Sequence, residues 1–380
     1  MIAPRARRAA YVGHIVIVMA SLLAALAVAE GLLRWVSPQP LGMSYLAPSG
    51  LTLHIPNARI RYARQEFDHW VTMNSLGLRD REVAREKPPG TFRILVLGDS
   101  YAEGAQVPLE ETFAKRLESS LSRRFPSRPW EVINGGVAGY GTAHELKFFH
   151  VYGRSFAPDL VIVAFAAGND LHDNRHSPFF RWKGDRLEER NLRAPSRAEL
   201  LEARLKELFA SHSHLYQFLR DRYHAFRTEI RPERDQTLRV HRTAVLAPSA
   251  SEDVQRDWRL TEDLLDRLSS SVAGAGARLL LVAVSMRLQV DDVEWETFAR
   301  GRAELDRAAV QKRLASYASA RGIPFLDLLP ALQRAHRAER AYYRIDGHFN
   351  ARGHAIAADE ILGGLLSHRL ISIDDQRSPK

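Results

Sequence analysis

Residues 93–100 read Arg-Ile-Leu-Val-Leu-Gly-Asp-Ser, and this stretch decides the fold. Four consecutive large aliphatic residues that end at a glycine are typical of a buried strand in a parallel sheet. Ser100 follows the end of that strand by two positions. Because open α/β sheets bind ligands outside the carboxyl ends of their strands, Ser100 is a candidate nucleophile. The plainer interpretation, a serine that serves as a cap or turn residue, is open at this point.

Apolar segments further along the chain predict four more strands, and charged amphipathic segments separate them. The strands are expected at 131–133, 160–165, 278–284 and 323–326. The clearest helices are expected at 199–209 and 258–269, with another where Leu109, Phe113, Leu117 and Leu121 recur at helical spacing. Strands that alternate with helices predict an α/β fold with a five-stranded parallel sheet covered on both faces.

Composition disfavours several classes of function. The chain has 380 residues, enough for one large domain or two ordinary ones. Its 54 Lys and Arg exceed 45 Asp and Glu, but no basic run with interleaved aromatics occurs, which argues against nucleic-acid binding. The absence of cysteine excludes disulfides, a lipoprotein cysteine and thiolate metal sites.

The N-terminus has the pattern of a membrane anchor. Three arginines within residues 5–8 precede an uncharged, mostly apolar run at 9–29. This run has about the ~20 residues that a spanning helix needs and exceeds the apolar region of ~7–15 in a signal peptide. The positive flank predicts a cytoplasmic start, with the chain after Arg34 outside. We favour an uncleaved anchor over residues 1–35, and cleavage at Ala27–Ala29 is the alternative.

The remaining sequence predicts three regions. Residues 36–90 are expected to form a linker, rich in Pro, Gly and Ser at its start, and an N-terminal extension packed on the main domain. Residues 91–370 form that main domain. The segment at about 171–253 is too long for a simple connection, and its amphipathic stretches and aromatics predict a helical insertion beside the end of the third strand.

The ends of the second and third strands also carry polar residues and glycines. The second strand runs into Asn-Gly-Gly-Val-Ala-Gly-Tyr-Gly-Thr at 134–142, where glycines allow backbone to approach a ligand closely. A phosphate cradle is a poor fit, because neither Gly-x-Gly-x-x-Gly nor a following Lys-Ser/Thr is present. Thr142 and Glu145 fit a capping box. The third strand runs into Gly168-Asn169-Asp170, which an ordinary turn would also explain.

Near the C-terminus, Asp346-Gly-His348 precedes a predicted helix at 351–366. A carboxylate two residues before a histidine can orient it as a general base. Asp327, at the end of the fifth strand, is the runner-up for that acid, although a helix cap is its plainer role. His354, on the last helix, is expected to be structural.

Other polar residues in these loops are expected to have supporting roles. Asp99 and Asp170 are expected to brace their loops by hydrogen bonds to backbone. His172 and His176 have helical spacing, but the chain contains no His-Glu-x-x-His motif, and we predict no metal or cofactor. These two histidines are expected instead to line the mouth of the substrate site.

Together these residues fill the roles that acyl transfer requires. Ser100 would be the nucleophile, His348 the base and Asp346 the acid that orients it. The Gly139 N–H and the Asn169 amide would donate to the oxyanion. All five lie in loops at the same predicted edge of the sheet.

The chain resembles the SGNH, or GDSL-type, hydrolases from Phe92 to the final helix. The family's four blocks occur in order: Gly-Asp-Ser, Asn134 with Gly139, Gly-Asn-Asp as a close relative of Gly-x-Asn-Asp, and the terminal Asp/His pair. The resemblance implies a flavodoxin-like three-layer α/β/α fold, with an oxyanion hole from the Ser100 and Gly139 N–H groups and the Asn169 side chain.

One departure from the family is the terminal pair, which is usually Asp-x-x-His and here is Asp346-x-His348. In an extended segment, residues two apart point to the same face, so contact is retained while the usual one-turn geometry is not. Membrane-anchored envelope members of the wider group look similar in this shorter spacing.

The resemblance implies a serine esterase that hydrolyses an O-acyl ester, acetyl in the simplest case, on an envelope carbohydrate. An O-acyltransferase for envelope or extracellular polysaccharide, using the same triad, is the alternative. A non-catalytic carbohydrate-binding scaffold is the third hypothesis. The expected location is the bacterial inner membrane, with one span and the catalytic domain in the periplasm or outside; with cleavage, the protein would be soluble in the periplasm.

Overall fold

The computed structural model describes residues 4–183, 186–190, 196–230, 243–247 and 251–371. The chain divides into two compact units. The first comprises Met1–Ser44 with Ser196–Pro232, and the second comprises Tyr45–Pro195 with Glu233–Lys380.

The described strands and helices alternate along most of the second unit. The strands are β1 (Ser44–Leu46), β2 (Thr52–His54), β3 (Arg59–Ala63), β4 (Asp68–Thr72), β5 (Phe92–Gly98), β6 (Trp130–Asn134), β7 (Leu160–Ala166), β8 (Phe180–Lys183), β9 (Arg186–Glu189), β10 (Arg278–Val284) and β11 (Phe325–Asp327). The α-helices are α1 (Pro4–Val36), α2 (Ser100–Glu103), α3 (Phe113–Arg124), α4 (Thr142–Val151), α5 (Asp170–His176), α6 (Arg197–His212), α7 (His214–Ile230), α8 (Glu252–Gly274), α9 (Arg287–Val290), α10 (Asp292–Ala299), α11 (Ala309–Arg321), α12 (Leu329–Ala338) and α13 (Ala351–Ser367).

A five-stranded sheet forms the centre of the second unit. Its strand order is β11-β10-β7-β5-β6, and all four pairings are parallel. Every residue of β5 and β7 is buried, because helices cover both faces. Leu95 and Leu97 belong to the core on one face, and Ile94 and Val96 to the core on the other. The α/β fold with a flavodoxin-like parallel sheet is therefore confirmed.

The order of the strands reverses between β5 and β7, and this is where an open sheet of this type binds ligands. The register pairs Gly98 with Ala164, so the two strands end at nearly the same level. The loops that follow them carry Ser100 and Asn169. Two residues that are far apart in sequence therefore start from adjacent strand ends.

The segment before the sheet packs on the strand-end region, as Arg79 shows. Its side chain is 1% exposed, and its guanidinium donates to the carbonyls of Glu103 (2.7 Å) and Gly104 (2.6 Å) and to that of Val107. A buried guanidinium with several carbonyl acceptors holds these backbones together. Residues 45–90 are thus built into the second unit.

Some sequence-based boundaries and contacts differ from the structure. The α-helix expected around Leu109 starts at Phe113, after a short 3₁₀ turn at Leu109–Glu111. The capping box of Thr142 and Glu145 is wrong: Gly141 is the N-cap, and the Thr142 hydroxyl has no hydrogen-bond partner among the described residues. The Asn174 side chain accepts from the Ala143 N–H (2.9 Å) instead, so another segment caps this helix.

The first unit contains the N-terminal apolar helix α1 together with α6 and α7. Residues Gly13–Val36 of α1 have a mean hydropathy of 2.4 and are long enough to cross a membrane. The most apolar stretch of 18 residues within this helix is not buried against the rest of the chain. The described part of the region at 171–253 includes a short antiparallel hairpin, β8–β9, besides its helices.

Candidate active site

Ser100 lies at a tight turn from strand to helix. Gly98 ends β5, and a Cβ at this position would lie 2.8 Å from the Ala102 Cβ, so a larger residue does not fit. Asp99 is the N-cap of α2, and its Oδ1 accepts from the Tyr101 N–H (2.9 Å). This cap is the loop-bracing role expected for Asp99. The turn leaves Ser100 partly exposed at the first position of the helix.

Ser100, His348 and Asp346 form one hydrogen-bonded chain. The Ser100 Oγ lies 2.8 Å from His348 Nε2, and His348 Nδ1 lies 2.6 Å from Asp346 Oδ1. Burial opposes ionisation of Asp346, but the hydrogen bonds and charge of His348 outweigh it and lower the pKa of this carboxyl. An ionised Asp346 accepts a hydrogen bond from the Nδ1–H of His348, which leaves the Nε2 lone pair for the serine hydroxyl.

The short Asp-x-His spacing is closed by a turn, and the extended segment expected for it is wrong. Residues 344–346 form the turn, and Gly347 has φ +84°, a region that favours glycine. Asp346 Oδ1 also accepts from the His348 N–H (3.3 Å), as in an Asx turn. The turn with its positive φ at Gly347 therefore brings the Asp346 carboxylate to His348 Nδ1 across a single intervening residue.

Glu66 holds this turn in place and was not found by sequence reasoning. It lies between β3 and β4, and its carboxylate accepts from the N–H groups of Arg344 (2.6 Å), Ile345 (2.8 Å) and Asp346 (2.9 Å). Burial opposes ionisation, but these three N–H groups outweigh it and lower the pKa of Glu66. A lone glutamate in a hairpin is usually a solvent-exposed charge. No local pattern marks Glu66 as functional, because its partners lie some 280 positions away in the sequence.

The predicted oxyanion donors surround the same strand ends. Asn169, which follows β7, donates through Nδ2 to Asp99 Oδ2 (2.7 Å), so the N-cap of α2 also orients this amide. Gly139 is the third residue of a turn closed by the Tyr140 N–H on the Val137 carbonyl (3.1 Å), and its φ is +81°.

The N–H groups of Ser100 and Gly139 donate no hydrogen bond to any residue that the structure describes. Asn134 orders the glycine loop between them, because its side chain accepts from the Gly136 N–H (3.0 Å) and donates to the Ala102 carbonyl (3.0 Å). The structure thus places backbone donors and the Asn169 amide in loops at one edge of the sheet.

Three carboxyls are buried beneath these loops. Burial raises the pKa of Asp99, Asp170 and Glu145, that of Glu145 to about 8. Among the described residues neither side-chain oxygen of Asp170 has a hydrogen-bond partner of ordinary geometry, so its bracing role stays a prediction. The mutual repulsion of Asp170 and Glu145 adds to the cost of ionisation.

The remaining candidates have other partners. Asp327, the runner-up acid, accepts from the Leu329 N–H (2.8 Å) and so serves the start of α12. His354 is 1% exposed and accepts from the Phe113 N–H (3.2 Å), and burial lowers its pKa to about 3, as suits a structural residue. The rings of His172 and His176 lie 4.2 Å apart. No group of three or more His, Cys, Asp or Glu able to hold a metal occurs within the described parts of the chain.

Comparison with known proteins gives a family match over most of the chain. The sequence profile of the GDSL-like lipase/acylhydrolase family matches residues 96–356. An arylesterase from Vibrio mimicus is 32% identical over 79 residues, which are 21% of this chain and 38% of the arylesterase.

Solved structures show only distant likeness. A two-domain esterase active on acetylated mannans has 15% identity and a TM-score of 0.41, over 76% of this chain and 52% of that one. A catalytic mutant of an acetylxylan esterase from Geobacillus stearothermophilus has 12% identity and a TM-score of 0.39, over 72% and 94%. The family match spans every loop that carries a predicted triad or oxyanion residue, from the strand before Ser100 to the helix after His348. The chain therefore belongs to the GDSL-like lipase/acylhydrolase family.

Proposed function

We propose that this protein is a serine hydrolase that cleaves an O-acyl ester through an acyl-Ser100 intermediate. The observation that carries the proposal is the continuous chain from Ser100 Oγ through both nitrogens of His348 to Asp346. A nucleophile, a base and a group that orients the base are the parts that covalent acyl transfer needs.

The reaction follows from these contacts. The Ser100 Oγ attacks the ester carbonyl carbon while His348 Nε2 takes its proton. The N–H groups of Ser100 and Gly139 and the Asn169 amide donate to the oxyanion of the tetrahedral intermediate. His348 then gives the proton to the leaving alcohol, and the acyl group stays on Ser100. A water molecule, deprotonated by His348, attacks the acyl-enzyme, and His348 returns this proton to the Ser100 Oγ as the bond to the acyl group breaks and the acid is released.

A carbohydrate ester is the substrate class we propose, and a groove near α5 supports it. The groove has a volume of about 830 Å³. Its described lining residues include Arg175 at the end of α5, Trp182 and four further arginines. Since α5 starts next to Asn169 and has seven residues, the groove lies about 10 Å away along this helix. An aromatic ring and guanidinium groups suit the faces and the acidic groups of a sugar polymer.

The apolar helix α1 supports location at the bacterial inner membrane. Gly13–Val36 is long enough to span, and the arginines within residues 5–8 favour a cytoplasmic N-terminus. The catalytic unit would then face the periplasm. A cleaved signal would leave the same unit soluble.

Labelling by a fluorophosphonate tests the nucleophile on the full-length membrane protein. We expect the label on Ser100, and Ser100→Ala to lose both labelling and ester cleavage. Ser155→Ala is the matched control, because Ser155 is exposed and its hydroxyl donates only to its own turn. A folded Ser100→Ala variant that turns over normally would overturn the proposal.

Release of free acid from a small activated ester should be unaffected by added oligosaccharide, whereas acyl transfer to the sugar would indicate a transferase.

A further inference from the structure

The helical hairpin of α6 and α7 in the first unit has an apolar face that its own packing leaves exposed. We call this the outer face. Each of its side chains is between 46% and 60% exposed. The outer face consists of Leu201, Leu205, Leu208 and Phe209 on α6 and Leu219, Tyr223 and Phe226 on α7.

The outer face points away from the side on which the hairpin packs. On α6, positions spaced by four and seven residues share one side, while Ala203, Glu207 and Ala210 occupy the opposite side and are less exposed. On α7, Gln217 is fully buried and lies opposite Leu219. A helix of a soluble protein has its apolar stripe towards the core, so this reversed arrangement indicates an apolar partner outside the hairpin.

The turn of the hairpin is bonded to the last turns of α1. The Glu30 carboxylate accepts from the Ser213 hydroxyl (2.9 Å) and from the N–H groups of His214 (3.0 Å) and Leu215 (2.8 Å) at the start of α7. Arg34 donates to the His212 carbonyl (2.7 Å) at the end of α6. A carboxylate at a helix N-terminus interacts favourably with the partial positive charge there, and a guanidinium at a C-terminus interacts favourably with the partial negative charge.

The chain after α1 strengthens this attachment. The Gln39 N–H donates to His214 Nδ1 (2.7 Å), and the Gly42 N–H donates to the Ala210 carbonyl (2.8 Å). The hairpin is therefore held at the level where α1 ends. That level is marked by Arg34 and by Trp35, which is 85% exposed, and both residue types are typical of the membrane–water interface.

From this position we propose that the outer face lies in the boundary between lipid headgroups and acyl chains, as a second membrane contact beside the spanning helix. The proposal rests on the anchorage of α1 proposed above. Amphipathic helices with large apolar side chains on one face bind this boundary in the plane of the membrane. Lipid is the occupant that the geometry favours, because the turn of the hairpin is bonded to a helix that itself lies in the bilayer.

The absence of cysteine from the chain allows a direct test by single-cysteine probes. Leu205→Cys and Tyr223→Cys, each labelled with an environment-sensitive fluorophore, report on the outer face. Lys206→Cys and Arg220→Cys are matched controls on the same helices, and Leu22→Cys, in the middle of α1, reports on the bilayer. The full chain is reconstituted in vesicles of phosphatidylethanolamine and phosphatidylglycerol, with and without lipids that carry a nitroxide quencher.

We expect probes at Leu205 and Tyr223 to emit at shorter wavelength and to lose most of their fluorescence to the lipid-borne quencher, while both controls keep the emission of water-exposed probes. If Leu22 is quenched and the two outer-face probes emit as in water, the proposal is overturned. Shorter-wavelength emission without quenching by lipid also overturns it, because protein would then cover the face. An unquenched Leu22 probe instead overturns the anchorage on which the proposal rests.

Discussion

Replacing Asp346 by asparagine tests how the short Asp-x-His pair works. In the structure, Asp346 Oδ1 lies 2.6 Å from His348 Nδ1 and accepts its hydrogen. An asparagine amide can turn its NH₂ group towards Nδ1, which moves the imidazole proton to Nε2 and removes the acceptor for the Ser100 hydroxyl. Loss of the correct tautomer costs about 10⁴-fold in kcat in a Ser-His-Asp triad. At about 1.4 kcal/mol per factor of ten, this is about 5 to 6 kcal/mol of transition-state stabilisation.

The matched control is Asp327→Asn. Asp327 is also partly buried, but its carboxylate accepts from the Leu329 N–H at the start of α12. We expect this variant to keep most of its activity and to lose little stability, because the side-chain oxygen of an asparagine can accept from the Leu329 N–H as the carboxylate does. The assay is kcat on a small activated ester with full-length protein, and circular dichroism checks the fold. A kcat of Asp346→Asn within tenfold of the native value, or a larger loss in Asp327→Asn, would refute the reasoning.

The contribution of Asp346 to the stability of the folded protein is expected to depend on pH. The pKa of Asp346 is held below the ordinary value of an aspartate, because the hydrogen bonds and charge of His348 outweigh burial. A depressed carboxyl pKa stabilises the folded protein above the unfolded pKa, and this contribution is lost as the pH falls through the folded pKa. The difference in stability between native protein and Asp346→Asn is therefore expected to shrink as the pH falls below about 4. A difference that stays unchanged as the pH falls below 4 would contradict this assignment.

Further predictions concern the oxyanion donors, the turn, the buried carboxyls and the topology. Asn169→Ala should lower kcat on the order of 100- to 1000-fold if the amide donates to the oxyanion, and a loss below tenfold would leave it a loop residue. Glu66→Ala releases the turn that carries Asp346 and should lower kcat on the order of 10- to 100-fold with little change in KM, and Glu66→Gln should restore part of the loss. Burial raises the pKa of Glu145 to about 8, so native stability should fall as pH rises from 4.5 to 8, by about 1.4 kcal/mol per pH unit for this one proton. Glu145→Gln should make that slope shallower in unfolding experiments, while Asp99 and Asp170 keep their own contribution, and an unchanged slope would show that Glu145 does not contribute to it. A reporter active only outside the cytoplasm, fused after Lys380, should be active and membrane-bound; recovery in the soluble periplasmic fraction would indicate cleavage near Ala29.

The sequence alone was sufficient for the sheet and for the residues at its strand ends. A strand with both faces covered must be apolar at every position, so the run before Gly98 identifies a central strand without further information. The carboxyl ends of parallel strands meet at one edge, so Ser100 and Asn169 could be placed near each other from their positions after two strands. The covalent order of these motifs carries the family resemblance, and the profile match agrees with it.

Contacts between distant segments were decided only by the tertiary structure. Glu66 holds the backbone of residues 344–346, and Asn174 caps α4 in place of Thr142. Such contacts depend on where loops meet in space, and neither partner has a local pattern that marks it. The turn at Gly347 is similar, because a glycine permits a positive φ but does not require it.

The outer face of the α6–α7 hairpin shows that the spacing of apolar residues in a helix does not identify the side that packs against protein. The spacing of Leu201, Leu205 and Leu208 indicates that these residues share one side of a helix, and the sequence carries that information. Which side packs against protein depends on the partner helix, and here Ala203 and Ala210 take that side. Periodicity records only that apolar residues avoid water, and both a protein core and a lipid boundary meet that condition. The bonds from Glu30 and Arg34 to the turn of the hairpin support the lipid boundary proposed above, because they tie the hairpin to the end of the apolar helix α1.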